Sequence, residues 1–285
     1  MASPAFIVGC GYLGSRVATA WRDSGRTVFA LTRSRPEPLR AMGIEPIIGD
    51  VMKPETLAVL PHASTVLYAV GMDRTSGYSM REVYLQGLEN VLKTLPNCER
   101  FISISSTSVY GQTQGELVDE ASATQPIEES GSVVLAAEEL LKRYVPHATI
   151  LRFAGIYGPN RLLRRNPILN AQPLVGDAEK WLNLIHVEDG VRAVLAAEAA
   201  AAQGSTFNIA DDTPVWRRDF YTRLAQQLNA PPALFEPHPP GHVAKPEANR
   251  RVNNAKARAE LGFAPQFPSY IEGLQHAVNA SVQEN

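Results

Sequence analysis

A chain of 285 residues with 27 Lys and Arg against 29 Asp and Glu has a formal charge of −2. That balance lacks the basic footprint a phosphate backbone demands, so no nucleic-acid partner is expected. No apolar run approaches the ~20 residues of a bilayer span, and no charged leader precedes an apolar segment, so the expectation is a cytoplasmic protein without a membrane partner.

The first element is a short strand, Phe6-Ile7-Val8, running straight into Gly9-Cys10-Gly11-Tyr12-Leu13-Gly14. Gly-x-Gly-x-x-Gly between a strand and an amphipathic helix is the context of a dinucleotide fingerprint. Gly9 permits the tight turn, Gly11 removes a Cβ where pyrophosphate approaches the backbone, and Gly14 lets the helix pack closely on the sheet. The helix N-terminus then offers N–H groups and a positive dipole end to phosphate. Val28-Phe29-Ala30-Leu31 supplies the second strand and completes a βαβ unit by Thr32. An acidic residue at that point would take ribose hydroxyls and indicate NAD. Thr32-Arg33-Ser34-Arg35 stands there instead, and guanidinium with hydroxyl donors suits a 2′-phosphate, so NADP is expected over NAD. The same arginines also read as a solvated surface pair before Pro36.

Further strands are expected at Glu45–Asp50, Thr65–Gly71, Arg100–Ser106 and Thr149–Phe153, with helices between, most clearly over Met80–Leu95 and about Val133–Tyr144. Such alternation predicts an α/β fold, a Rossmann-type doubly wound parallel sheet with ligand beyond the strand C-terminal ends. Ala193–Ala202 reads as a helix ended by Gly204. Six prolines between Pro231 and Pro246 predict a long surface loop, a candidate lid. The expected division is a dinucleotide-binding domain of residues 1–156 plus about 183–215, and a small C-terminal substrate lobe of about 157–182 and 216–285. Cys10 and Cys98 form no disulfide pattern. His238 and His242 are separated by Pro239-Pro240-Gly241, which breaks the helix that would aim both at a metal, so no metal is expected.

Several stretches in order and at sensible spacing carry a resemblance: Gly9–Gly14, Gly49-Asp50, Ser105–Gly111, Leu151–Pro159, Leu184–Asp189, Phe207-Asn208-Ile209 and Asn254–Gly262. Along nearly its full length the chain resembles the extended short-chain dehydrogenase/reductases, the group of NAD(P)-dependent nucleotide-sugar epimerases and dehydratases. The resemblance implies that Asp50 and Val51 meet the adenine side and that Ala69, Val70, Gly71 and Ser105 line the cofactor with Tyr12 and Leu13. It puts Ser106 at the catalytic serine position, and it is compatible with a homodimer.

The likeness breaks at the usual Tyr-x-x-x-Lys pair. Counting back from the apolar-Ala-Ala-Glu signature, here Leu135-Ala136-Ala137-Glu138, the lysine position is Val134 and the tyrosine position Ser130; no Tyr or Lys occurs from Gly111 to Leu141. Neither residue can exchange a proton near pH 7 as a lysine-activated tyrosine does. Ser106 also reads as a strand-end serine satisfying local backbone, Tyr110 and Tyr84 as packed aromatics, and Glu128 and Glu129 as a solvated first-turn pair. Arg161, Arg164 and Arg165, and Arg250 with Arg251, suit a phosphate- or carboxylate-bearing ligand or a solvated face. His186 reads as a link between sheet and small lobe. Two functions remain: an NADP-binding atypical oxidoreductase or isomerase acting on a small or nucleotide-sugar-like substrate, and an NADP-binding sensor without chemistry.

Overall fold

The computed structural model describes residues 3–200, 202–239 and 247–283. Seven parallel strands form the central sheet: β1 (Ala5–Val8), β2 (Val28–Thr32), β3 (Glu45–Ile48), β4 (Thr65–Tyr68), β5 (Arg100–Ser106), β6 (Thr149–Phe153) and β7 (Thr206–Ile209). Their spatial order is β7-β6-β5-β4-β1-β2-β3. The strand order reverses between β1 and β4, the crevice where doubly wound sheets bind ligands. This is a Rossmann-type fold, as the alternation predicts.

The strands are apolar on both faces because helices cover both. On one face Ile7, Leu67, Ile102 and Leu151 pack with Val17 and Trp21 of the helix Tyr12–Asp23 and with Val191 and Val194 of the helix Val187–Ala199. On the other, Phe6, Val8, Phe101 and Ile150 pack with Leu88 and Val91 of the helix Gly87–Thr94 and Leu141 of the helix Glu129–Tyr144. A third cluster joins Tyr157, Leu174 and Leu184 to Phe220 and Leu224 of the helix Arg217–Gln227 and to Leu274 and Val278 near the C-terminus.

Several boundaries differ from the pattern-based reading. β3 and β4 stop at Ile48 and Tyr68, so Gly49-Asp50 and Ala69–Gly71 are loops at the strand ends. The helix expected from Val133 begins at Glu129, since Gly131 lies against the Ser108 carbonyl with no room for a Cβ and seats its first turn there. The alanine-rich helix runs Val187–Ala199, with His186 as its N-cap. β7 was legible only as a motif. In the proline-rich stretch, Phe235–Glu236 pairs with Leu174–Val175, and residues 240–246 of the expected lid, His242 included, lie outside the described residues.

Candidate active site

Beyond the C-terminal ends of β1, β2, β4 and β5 opens a cavity of about 870 Å³. Its floor is the glycine loop. Gly9 adopts φ +100, and a Cβ there would strike the Ala69 and Val70 backbone; a Cβ on Gly14 would collide with the Gly9 carbonyl. Gly11 has nothing within 4 Å of where a Cβ would sit, so its surface is open to the cavity. Gly11 is also the N-cap of the helix Tyr12–Asp23, which has no side-chain cap, and its first N–H groups therefore suit an anion. This combination fits a dinucleotide pyrophosphate. Cys10 lines the same loop, its thiol pushed up to about 11 by burial.

At the β2 end Thr32 and Arg33 line the cavity, whereas Ser34 is exposed and takes no part in the lining. Thr32 Oγ1 accepts from the Arg35 N–H (3.3 Å). Arg33 donates Nη2–H to Asp73 Oδ2 at 2.6 Å. Asp50, Val51, Ala69, Val70 and Gly71 all line the cavity. Asp50 Oδ1 accepts from Met52 N–H (3.0 Å), and Asn90 Nδ2 donates to the Val51 carbonyl (2.9 Å), fixing this corner from both sides.

At the other end Ser105, Ser106, Ser130 and Val134 line the same cavity, with Tyr84 and Glu138. Ser106 Oγ accepts from Ser108 N–H (3.1 Å) and caps the turn Thr107–Val109, so its own O–H is not used by that contact. Ser130 Oγ lies 3.5 Å from Glu128 Oε2. Val134 belongs to an apolar cluster with Val109, Tyr110 and Ala154, against which Met80 and Tyr84 pack. Tyr84 sits in a π-helical segment, Glu82–Gln86, and burial raises its phenol. Tyr110 is wholly buried, donating to Asn208 Oδ1 (2.9 Å) and accepting from Arg152 Nη1 (2.9 Å), a packing and bonding role away from the cavity.

The arginines separate. Arg161 lines the cavity, its guanidinium 5.3 Å from the Tyr12 ring centroid. Arg164 does not line it; it hydrogen-bonds Tyr221 of the helix Arg217–Gln227. Arg250 lines a different cavity, about 180 Å³, with Glu128, Lys180 and Trp181. That space adjoins the first through Ser108. Arg250 Nη2 donates to the Thr107 carbonyl (2.6 Å), and its Nε is buried without a hydrogen-bond partner among the described residues. His186 is fully buried; its Nδ1 accepts from Glu188 N–H (3.3 Å) and its Nε2 faces His276 Nδ1 (3.2 Å), tying the strand Leu184–His186 to the C-terminal helix. His238 contacts Glu247 Oε1 (2.8 Å).

Residues 5–210 match the NAD dependent epimerase/dehydratase family. The chain belongs to that family. Protein YeeZ of Escherichia coli K12 is 30% identical over 276 residues, spanning 92% of this chain and 95% of that protein. Among solved structures, a putative NAD-dependent epimerase/dehydratase from Methylobacillus flagellatus is 31% identical, covers 98% of this chain and 99% of its own, and superposes with a TM-score of 0.78. The UDP-glucuronic acid 4-epimerase of Bacillus cereus, in complex with UDP-glucuronic acid and NAD, shares the fold at 20% identity, TM-score 0.81, over 99% of this chain and 100% of that one.

Within this epimerase/dehydratase family member, three groups that line the cavity, Glu138, Tyr68 and Asp73, have no assigned role in the sequence. Glu138 accepts from Ser105 Oγ (2.5 Å) and from Arg152 Nε and Nη2 (2.9 and 2.7 Å), a buried fork at the C-terminal ends of β5 and β6. Glu138 follows Leu135-Ala136-Ala137 and Arg152 interrupts the apolar strand Thr149–Phe153, and a charge at such a position marks a buried pair. Tyr68 also lines the cavity, its phenol raised by burial and its hydroxyl buried without a partner among the described residues. Asp73 had no sequence signal at all, because it meets Arg33 across forty residues.

Proposed function

We propose that this family member is an NADP-preferring oxidoreductase or isomerase of atypical chemistry, acting on a small or nucleotide-sugar-like substrate. One observation carries the reading. A single cavity runs from the glycine loop and Arg33 to Ser106, Ser130 and Arg161, so a dinucleotide and a second ligand have room side by side. Gly9, Gly11, Gly14, Asp50 and Ala69–Gly71 would hold the dinucleotide, with Arg33 toward the 2′-phosphate. Residues 1–156 and 183–215 form that site in this reading, and 157–182 with 216–285 wall the second ligand.

A bound nicotinamide would supply hydride transfer. Around it, the chain's own residues act as neutral hydroxyl donors. Ser106, whose oxygen already accepts the Ser108 N–H, presents its O–H to a substrate oxygen. The Tyr84 phenol, kept protonated by burial, is a second donor. Val134 places an apolar side chain where the family lysine would lower a phenol pKa, which disfavours tyrosinate chemistry. Arg161 offers a fork to a substrate carboxylate or phosphate.

The sensor reading has its own support: the packing of Tyr84 and Met80 against the Val134 cluster fills the catalytic corner with apolar contacts. Turnover separates the two. Titration calorimetry should give NADPH a roughly tenfold or greater advantage over NADH, the scale of one charge-assisted phosphate contact, and Arg33→Ala should erase most of it. UDP-glucose and UDP-glucuronic acid should be epimerised slowly or not at all. Rates of order 10 s⁻¹ on either would end the atypical-chemistry reading, and equal NADPH and NADH affinities would end the cofactor reading.

A further inference from the structure

The cofactor reading places the adenosine ribose beside Thr32 and Arg33, and the inference here rests on it. Arg33 already holds an anion. Its Nη2 donates to Asp73 Oδ2 at 2.6 Å, joining the β2 end to the loop after β4, and both residues line the cavity. Asp73 is presented by a built turn. Its Oδ1 accepts from Thr75 N–H (3.0 Å) and Thr75 Oγ1 (2.6 Å), while its carbonyl accepts from Ser76 Oγ (2.7 Å) and Ser76 N–H (3.1 Å). Those bonds turn Oδ2 toward the guanidinium. They also hold the carboxyl well below the usual carboxylate range, Arg33 first and Thr75 next. Asp50 adds a second negative charge close enough to act on Arg33.

A 2′-phosphate, with about −1.5 to −2 charges at pH 7, would therefore meet a guanidinium that is already paired to one carboxylate and within the field of a second. A 2′-hydroxyl meets no such conflict, and Asp73 can accept its hydrogen bond. We propose that Asp73 is a specificity-determining residue, an internal anion standing in the 2′-phosphate subsite that NADP must displace from Arg33 and NAD need not. The protein's NADP preference is then the remainder of a strong Arg33 contact reduced by this competition, and removing the competitor sharpens it.

The test is Asp73→Asn, titrated calorimetrically with NADPH, NADH, 2′,5′-ADP and 5′-AMP. The asparagine carbonyl oxygen still accepts from Thr75, so the turn survives; Asp73→Ser is the second variant should the first fail to fold. NADPH and 2′,5′-ADP should bind at least fivefold more tightly, NADH and 5′-AMP should stay level or weaken, and adding Arg33→Ala should remove the gain. Weaker NADPH binding would show Asp73 to be an orienting partner of Arg33 and overturn the proposal, as would unchanged affinities. The wild-type NADPH/NADH ratio judges the cofactor reading separately. A wild type favouring NADH, with the ratio still rising on Asp73→Asn, would sink that reading and keep Asp73 as the determinant.

Discussion

Glu138→Gln removes the negative charge from the centre of a buried network while keeping the side-chain shape. Glu138 and Arg152 are 4% and 5% exposed, too buried for water to replace the lost partner. In the wild type the carboxylate takes two N–H bonds from Arg152 and one O–H bond from Ser105. In the variant the amide still accepts at one oxygen but presents N–H donors to a guanidinium, so Arg152 becomes a buried cation without a counter-charge. Breaking a buried pair from one side costs about 3–5 kcal/mol, which for a chain of this size lowers the melting temperature by roughly 6–20 °C. The assay is urea and thermal unfolding followed by circular dichroism, with an NADPH titration on the folded variant. The double replacement Glu138→Met with Arg152→Met takes out both charges and should recover part of the loss. A Glu138→Gln protein melting within about 2 °C of wild type would refute the view that Arg152 is a buried cation whose only counter-charge is Glu138. A double variant no more stable than Glu138→Gln would refute the account of why.

Gly11→Ala, which meets no protein atom, should fold with wild-type stability yet lose at least about tenfold in NADPH affinity, whereas Gly9→Ala, at φ +100 and against the Ala69 backbone, should fail to fold well; wild-type NADPH binding by Gly11→Ala would contradict the pyrophosphate placement. Ser130→Tyr with Val134→Lys should restore measurable turnover of a UDP-sugar, at a stability cost because Val134 lies in an apolar cluster; a folded double variant with NADPH bound and no activity on a panel of UDP-sugars would count against the positional assignment. Burial, and then His276, push His186 from 6.5 down to about 3. The unfolded chain therefore binds the extra proton in that window, and stability should fall as pH drops from 6.5 toward 3, with a slope approaching 1.4 kcal/mol per pH unit. His186→Asn, which can still cap the Glu188 N–H, should flatten that slope in pH-dependent urea melts, and an unchanged slope would assign it to another group.

Local structure was largely legible in the residues themselves. β5 and β6 were readable to the residue because their apolar runs are bounded by breaks in pattern, and the glycine loop because a positive φ at Gly9 and close approaches at Gly9 and Gly14 are demands only glycine meets. The absence of Tyr and Lys between Gly111 and Leu141 is likewise a fact of sequence alone. What neighbours in the chain do not encode is which charges meet. Arg164 and Arg250 stand in similar polar contexts to Arg161, yet the fold turns one to Tyr221, one to the Thr107 carbonyl and leaves Arg161 on the cavity. The early start of the helix at Glu129 depends on Gly131 resting against Ser108, and β7 depends on pairing with β6. Backbone preference acts over a few residues and leaves its mark in periodicity and glycine placement. Side-chain pairing acts through space: Ser105 finds Glu138, and Arg33 finds Asp73, only after the parallel sheet has brought the ends of distant strands to one edge.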